Sequence, residues 1–408
     1  MKMLSLLSFL SFSLIVSSCS QAPTSGLQQQ ADEHLLDRAE QAQVVLGQQL
    51  FMDTRLSEPM GVACASCHDP AQAFTGNNNN LRIPAVAVGS LPDSFGARNS
   101  PTAMYAAFSP QFSFQKSDED DAWFAQGGQF WDGRAADLIE QAKGPFLNSK
   151  EMNNKDIAQL IAKIRTASYR DLFAQAFPGQ DVLTDDSKAF QAVAEAIAAY
   201  EKSPALSPFQ SKFDAVLEGK ETFSSQEALG FALFKDPEKG NCIACHAGHT
   251  ESQRPQDWLF TDFTYDNLGV PRNLSIPDNR DQKFFDLGLC QQSGLKAPRE
   301  LSTQTLCGAF KVPTLRNIAK TAPYMHNGYF SNLKDVVRFY VTRGTNPELW
   351  YPKLADGRID LFNDLPEAYK SNVNQEEAPY DRKPGEQPRL SEDEIDAIVA
   401  FLNTLSDR

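Results

Sequence analysis

The chain is short of positive charge. Its 38 Lys and Arg face 52 Asp and Glu, giving a formal net charge of −14 and a pI near 4.9. A surface of that sign repels phosphate backbones and anionic headgroups, which argues against a nucleic-acid partner or electrostatic membrane binding. Long apolar runs are lacking as well. The stretch from Leu4 to Val16 is relieved only by serines, but it is too short for a comfortable membrane span. Strand signals are sparse, which excludes a β-rich class. Histidine is scarce: there are five, and none lies between His68 and His246. Cysteine is scarce too, at seven, yet four of these and two of the histidines fall in two short stretches. They are Cys64-Ala65-Ser66-Cys67-His68 and Cys242-Ile243-Ala244-Cys245-His246.

Each stretch is a C-x-x-C-H, the attachment signature of c-type haem. Two thiols this close add to the two vinyl groups of one porphyrin, and the adjacent imidazole reaches the iron from the same side. A zinc site would want four clustered ligands, and nothing suitable lies near either motif. A redox Cys pair gives no reason for a histidine straight after the second Cys twice over. The sequence therefore predicts two covalently bound haem c groups.

With 408 residues, 41% hydrophobic and 22% charged, the composition is that of a soluble globular protein with room for about two domains. Residues 1–18 read as a signal peptide of the lipoprotein type: Lys2 supplies the positive end, Leu4 to Val16 the apolar core, and Val16-Ser17-Ser18-Cys19 resembles a lipobox. Cys19 is then the lipidation site, and Ser20 after it suits an outer-membrane anchor. An ordinary signal peptide cleaved nearby is the alternative. Either way the protein is exported to the periplasm, as haem c attachment needs, and it touches a membrane only through this N-terminal anchor. Residues 19–38 are expected to be a flexible Gln-rich tether.

The first half, 39–205, opens with a helix-like stretch from Ala39 to Phe51 that leads into the first haem motif. Ile157, Leu160, Ile161 and Ile164 form the stripe of a helix with one buried face, and Phe190 to Tyr200 is a second, Ala-rich helix. The Pro204–Pro208 neighbourhood marks the boundary with the second half, 206–408. There Ser224-x-x-Glu227 caps a helix running to Phe234, just ahead of the second motif. Ser391-x-x-Glu394 caps the last helix, carrying Ile395, Ile398, Val399 and Leu402 at helical spacing. Helix and then C-x-x-C-H occur in the same order in both halves. The expected fold is mainly α: two cytochrome c-like haem domains related by duplication, loop-rich, with few strands.

From about Leu46 to Leu405 the chain resembles the bacterial di-haem cytochrome c peroxidases, and within them the MauG-like branch. The resemblance rests on Leu50-Phe51-x-Asp53-x-Arg55-Leu56-Ser57, Phe130-Trp131-Asp132-Gly133-Arg134, and Gly144-Pro145-Phe146-Leu147-Asn148 with Glu151-Met152. Val312-Pro313-Thr314-Leu315-Arg316-Asn317 and Ala322-Pro323-Tyr324-Met325-His326-Asn327-Gly328 add to it in the second half.

The resemblance implies that hydrogen peroxide reacts at the haem held by Cys64, Cys67 and His68. Glu151 then matches the distal acid, with Gln141 beside it and Pro145 shaping the pocket. Ordinary members close that haem with a histidine from the loop after the first motif. Its absence here implies an open, five-coordinate iron unless Met60 or Met104 caps it. The haem of Cys242, Cys245 and His246 would pass electrons, with Tyr340 as distal ligand where ordinary members carry methionine, and Met325 as its rival. An anionic oxygen donor favours the more oxidised iron. His326 is expected to be structural. Trp131 is placed between the haems as their electronic coupler. A calcium ion is implied at the Asn99 side chain and the Thr321 and Pro323 carbonyls, with water completing the shell. Cys290 and Cys307 remain as a disulfide pair.

The function that follows is a di-haem oxidoreductase reacting with hydrogen peroxide. The MauG-like version withdraws electrons from Trp or Tyr of a protein substrate. The alternative is a peroxidase fed by an electron-donor protein, a small cytochrome c or cupredoxin, and a non-catalytic electron carrier is the third possibility. An acidic insertion at Ser117–Asp121 stands outside the family pattern.

Overall fold

The structure, a computed structural model, describes residues 26–76, 83–118 and 121–408. The signal segment and Cys19 lie outside the described residues. Among those described, no helix is long and apolar enough to cross a membrane.

The first half contains α1 (Gly26–Met52), the single turn α2 (Cys64–Cys67), α3 (Leu138–Leu147), α4 (Ile157–Arg165), α5 (Leu172–Ala176) and α6 (Asp186–Glu201). The second contains α7 (Lys212–Leu217), α8 (Ser225–Lys235), α9 (Leu333–Thr342) and α10 (Glu392–Asn403). Among the described residues, strands are confined to two antiparallel pairs, β1 (Ser113–Lys116) with β2 (Trp123–Gln126) and β3 (Tyr265–Asp266) with β4 (Phe310–Lys311). The acidic insertion is the connection between β1 and β2. The mainly α expectation holds.

One expectation is corrected. Most of the stretch expected to be a tether is helical, because α1 starts at Gly26 and not at Ala39. Gln, Ala and Leu have good helix propensity, so the segment continues α1.

Both predicted capping boxes form: Ser224 with Glu227 opens α8, and Ser391 with Glu394 opens α10. Each hydroxyl satisfies one orphan N–H of the first turn, and each carboxylate reaches back to the cap's own N–H.

The helices pack in two pairs by one device. α1 crosses α6 at Gly47, where an added Cβ would stand 1.9 Å from the Ala196 carbonyl oxygen and 2.8 Å from Tyr200 Cβ. α8 crosses α10 at Gly230, where a Cβ would stand 1.9 Å from the Ala397 oxygen and 2.9 Å from Phe401 Cβ. Glycine is needed at both because the backbones touch. Around each crossing lies its own apolar core. Leu46, Leu50, Phe51, Ile161 and Val193 are fully buried in the first, and Phe213, Phe234, Phe260, Ile398 and Phe401 in the second.

Smaller contacts repeat as well. The Thr102 and Thr314 hydroxyls donate to the Ala73 and Leu259 carbonyls, both at 2.6 Å. Thr75 and Thr261 donate to Ser100 and Val312, both at 2.7 Å. Between the halves, Arg98 is shared by Asp132 at 2.7 Å and Asp286 at 2.6 Å, and Tyr105 Oη donates to Asp407 at 2.8 Å. The Cys290–Cys307 disulfide is formed, with its Cα atoms 4.9 Å apart.

Candidate functional site

A helical turn gathers each motif. His68 N donates to Cys64 O and His246 N to Cys242 O, both at 2.9 Å, which brings both thiols and the imidazole to one side of the turn. Each imidazole is then oriented by a carbonyl: His68 Nδ1 lies 3.2 Å from Phe74 O, and His246 Nδ1 lies 3.1 Å from Phe260 O. A carbonyl only accepts, so Nδ1 carries the proton and Nε2 keeps its lone pair for a metal. Phe74 and Phe260 both sit in the left-handed region, at φ 55° and 54°, and this turns their carbonyls back toward the rings.

Burial keeps both imidazoles neutral, lowering His68 below its usual value and His246 to about 4. It also pushes Cys67 and Cys242 up to about 12 and raises Cys64 and Cys245. Thiols held protonated in this way are poor nucleophiles, which weighs against a thioredoxin-like exchange pair.

A cavity of about 270 Å³ opens beside the second motif. Its walls include Cys242, Cys245 and His246 on one element and Val337 and Tyr340 on α9, with Leu402 of α10. Apolar lining with an imidazole and a phenol is the chemistry a porphyrin face and its iron require. Tyr340 lies deep in the protein but keeps surface on the cavity, and its hydroxyl makes no hydrogen bond among the described residues. Burial, with the nearby Cys245 and Asp266, pushes its phenol far up, so it stays neutral until a cation meets it. Met325 borders the same cavity.

At the first motif, α3 and the loop after it supply the candidate distal groups. Gln141 and Pro145 are on α3, and the Pro145 carbonyl accepts from Met152 N at 3.2 Å, curling the chain so that Glu151 follows closely. Ser90 N donates to Glu151 O at 2.8 Å, so the loop after the first motif packs on this turn. Burial raises the Glu151 carboxyl above its ordinary range, against the pull of Arg134 and a hydrogen bond to Asn148. Burial first, and then the Glu151 charge, raises Cys67, so the carboxylate is felt electrostatically at the first motif. Of the methionines considered as caps, Met60 is 64% exposed, and buried Met104 accepts the Asn317 amide at its sulfur, at 3.4 Å.

Trp131 connects the two motifs. Its Nε1 donates to Asn99 O, and its own carbonyl accepts from Lys311 N, both at 2.8 Å. Two residues beyond Asn99 and Lys311, the carbonyls of Pro101 and Pro313 face His68 and His246. The indole is thus fastened to the Asn99 segment of the first half, and the Trp131 main chain to the Lys311 segment of the second.

Asn99 also donates through Nδ2 to Pro323 O at 2.6 Å. The oxygen donors of Asn99, Thr321 and Pro323 suit calcium in kind. An ion bound between them needs the Asn99 amide turned over, so that its oxygen and not Nδ2 faces the Pro323 carbonyl. His326 is buried, stacked on Phe310 at 3.6 Å, with Nε2 3.6 Å from Asp364.

Three groups went unread in the sequence. Glu201, at the end of α6, is fully enclosed, its Oε2 has no hydrogen-bond partner, and burial lifts it to about 8. Lys311 and the Arg98–Asp132–Asp286 cluster lie between the halves. Superposing the two halves by their repeated contacts would have exposed Glu201, which stands where Leu402 stands in the second.

The sequence profile of the di-haem cytochrome c peroxidases matches residues 41–222. The methylamine utilization protein MauG of Paracoccus denitrificans is 38% identical over 91% of this chain and 90% of its own. The chain belongs to the di-haem cytochrome c peroxidase family. The cytochrome c551 peroxidase of Pseudomonas aeruginosa, another relative in this family, is 33% identical over 72% of this chain and 69% of its own. Among solved structures, the diheme peroxidase BthA of Burkholderia thailandensis matches with a TM-score of 0.82 and 41% identity, over 90% of this chain and 86% of that one. A member of the di-haem cytochrome c peroxidases is an oxidoreductase with two c-type haems, and the two motifs account for both.

Proposed function

We propose that this oxidoreductase is MauG-like: it reacts with hydrogen peroxide at the N-terminal haem and draws electrons through the C-terminal haem from Trp or Tyr residues of a partner protein. The observation that carries this reading is Tyr340, presented to the cavity of His246 with its hydroxyl unused by the protein. The absence of any histidine between His68 and His246 supports it from the other side.

Cys64, Cys67 and His68 would hold the first haem, and Cys242, Cys245, His246 and Tyr340 the second. When bound, the haems supply an iron that accepts peroxide and a second iron that relays electrons. Glu151 takes a proton from one peroxide oxygen and returns it to the other. Gln141 orients peroxide by hydrogen bonding, and Pro145 narrows the space above it. Trp131 couples the two sites along the hydrogen bonds to Asn99 and Lys311. The repeated Gly47 and Gly230 crossings support two cytochrome c-like domains, 39–205 and 206–408, related by duplication. Calcium at Asn99, Thr321 and Pro323 belongs to the same reading and requires the Asn99 amide to turn. So do export to the periplasm and a lipid anchor at Cys19.

BthA is described as a diheme peroxidase, and its 41% identity favours a second reading, reduction of peroxide to water with a small cytochrome c or cupredoxin donor. Mixing the peroxide-treated holoprotein with a reduced small cytochrome, and separately with the products of neighbouring genes, tests the two. Covalent or spectral change in a neighbouring protein, with slow cytochrome oxidation, supports the first. Fast cytochrome turnover with no modified protein supports the second.

A further inference from the structure

Lys311 is a cation deep between the halves with no anion of its own. Its Nζ donates to the Gly128 carbonyl and, at 3.4 Å, to Ser109 Oγ, both uncharged. No carboxylate lies within ion-pair distance of it among the described residues. The nearest acid felt electrostatically is Asp132. That carboxylate is already taken, its Oδ2 by Arg98 at 2.7 Å and its Oδ1 by Arg134 at 2.9 Å. A buried ammonium without a counter-charge is costly unless something else arrives to meet it. Burial pulls this one down to about 7.

Lys311 is only partly covered as a residue, and it lines the cavity of Cys242, Cys245, His246 and Tyr340, as does Ser109, which its Nζ reaches. The Lys311 N–H holds the Trp131 carbonyl at 2.8 Å. In the first half the repeated threonine hydrogen bonds put the neutral Asn99 at the matching position.

We propose that Lys311 binds a propionate carboxylate of the second haem and so fixes the carboxylate edge of that macrocycle against the Trp131 segment. A porphyrin fastened by two thioethers and an axial imidazole still carries two anionic propionates. Among the described residues of this wall, Lys311 is the buried cation without an acidic partner. The charge-assisted bond is specific to the second haem, and it puts the residue that grips the haem on the same peptide that grips Trp131. A cation held at that propionate would also disfavour the ferric state, raising the potential of the second haem relative to an uncharged residue.

This inference rests on the two-haem reading, so the experiment counts haems first. Wild-type holoprotein, Lys311→Met and Lys311→Arg are assayed for haem by pyridine haemochrome, then by spectroelectrochemical titration and resonance Raman of the propionate modes. The expected result is two haems per chain throughout, a lower midpoint potential and shifted propionate modes for the second haem in Lys311→Met, an unchanged first haem, and recovery in Lys311→Arg. If Lys311→Met loses the second haem, the Lys311→Arg protein decides, and recovery of haem and potential together supports the proposal. Two haems with unaltered potential and Raman modes in Lys311→Met overturn it, as does an equal shift in both haems. A wild-type chain without two haems would instead sink the reading beneath it.

Discussion

The indole nitrogen of Trp131 donates to the carbonyl of Asn99 at 2.8 Å, and this hydrogen bond fastens the residue between the halves to the segment under His68. Its counterpart on the other side is the Lys311 N–H on the Trp131 carbonyl. Phenylalanine at position 131 keeps the ring but abandons the Asn99 carbonyl. Trp131→Phe is expected to cost about 1 kcal/mol of stability while retaining both haems. In stopped-flow spectra, the response of the second haem to peroxide should slow while that of the first is kept.

Glu151 is expected to act as a base before it acts as an acid, so its ionised form is the working one. Burial raises its pKa, and the acid limb of the peroxide reaction should therefore lie above the ordinary carboxylate range. Glu151→Gln removes that limb and lowers the rate by about 10²–10⁴-fold. Peroxide-dependent rates from pH 4 to 8 for both proteins check the sign and the size.

Gly47→Ala and Gly230→Ala test the two helix crossings separately. Each new Cβ would meet a backbone oxygen that cannot move without opening α1 from α6 or α8 from α10. A loss of at least about 1–3 kcal/mol is expected for each, read as a lower Tm. The first variant should loosen the first haem pocket and the second variant the second.

The sequence made the helices with periodic apolar faces and paired caps readable, because both signals are local: α4, α8 and α10 end close to where the pattern ends. The haem motifs were readable because covalent attachment fixes their spacing. What escaped depends on contacts between distant segments. Gly47 looks like a blemish in a helix until Ala196 is seen against it. Lys311 looks like a surface lysine ahead of Val312-Pro313, and Glu201 like the solvated end of an amphipathic helix. Lys311 is enclosed by contacts across the halves, with Ser109 and Gly128, and Glu201 by the packing of the first half itself.

Glu201 yields a pH prediction of its own. Its folded pKa, near 8, lies above the value of an exposed glutamate, so the folded state holds a proton that the unfolded chain gives up. Stability should fall as pH rises from the ordinary carboxylate range towards 8. Glu201→Leu, which copies Leu402 of the second half, should remove this slope. Its advantage over wild type should grow between pH 5 and pH 8 by on the order of a few kcal/mol, measured by denaturant unfolding at each pH.

The central claim is an open first haem beside a second haem closed by Tyr340. The EPR spectrum of the fully oxidised holoprotein tests it most directly, with Tyr340→Met as the companion variant. The account predicts one high-spin and one low-spin ferric signal, and a change confined to the low-spin signal in the variant. Two low-spin signals in the wild type, or a low-spin signal that Tyr340→Met leaves untouched, would contradict it.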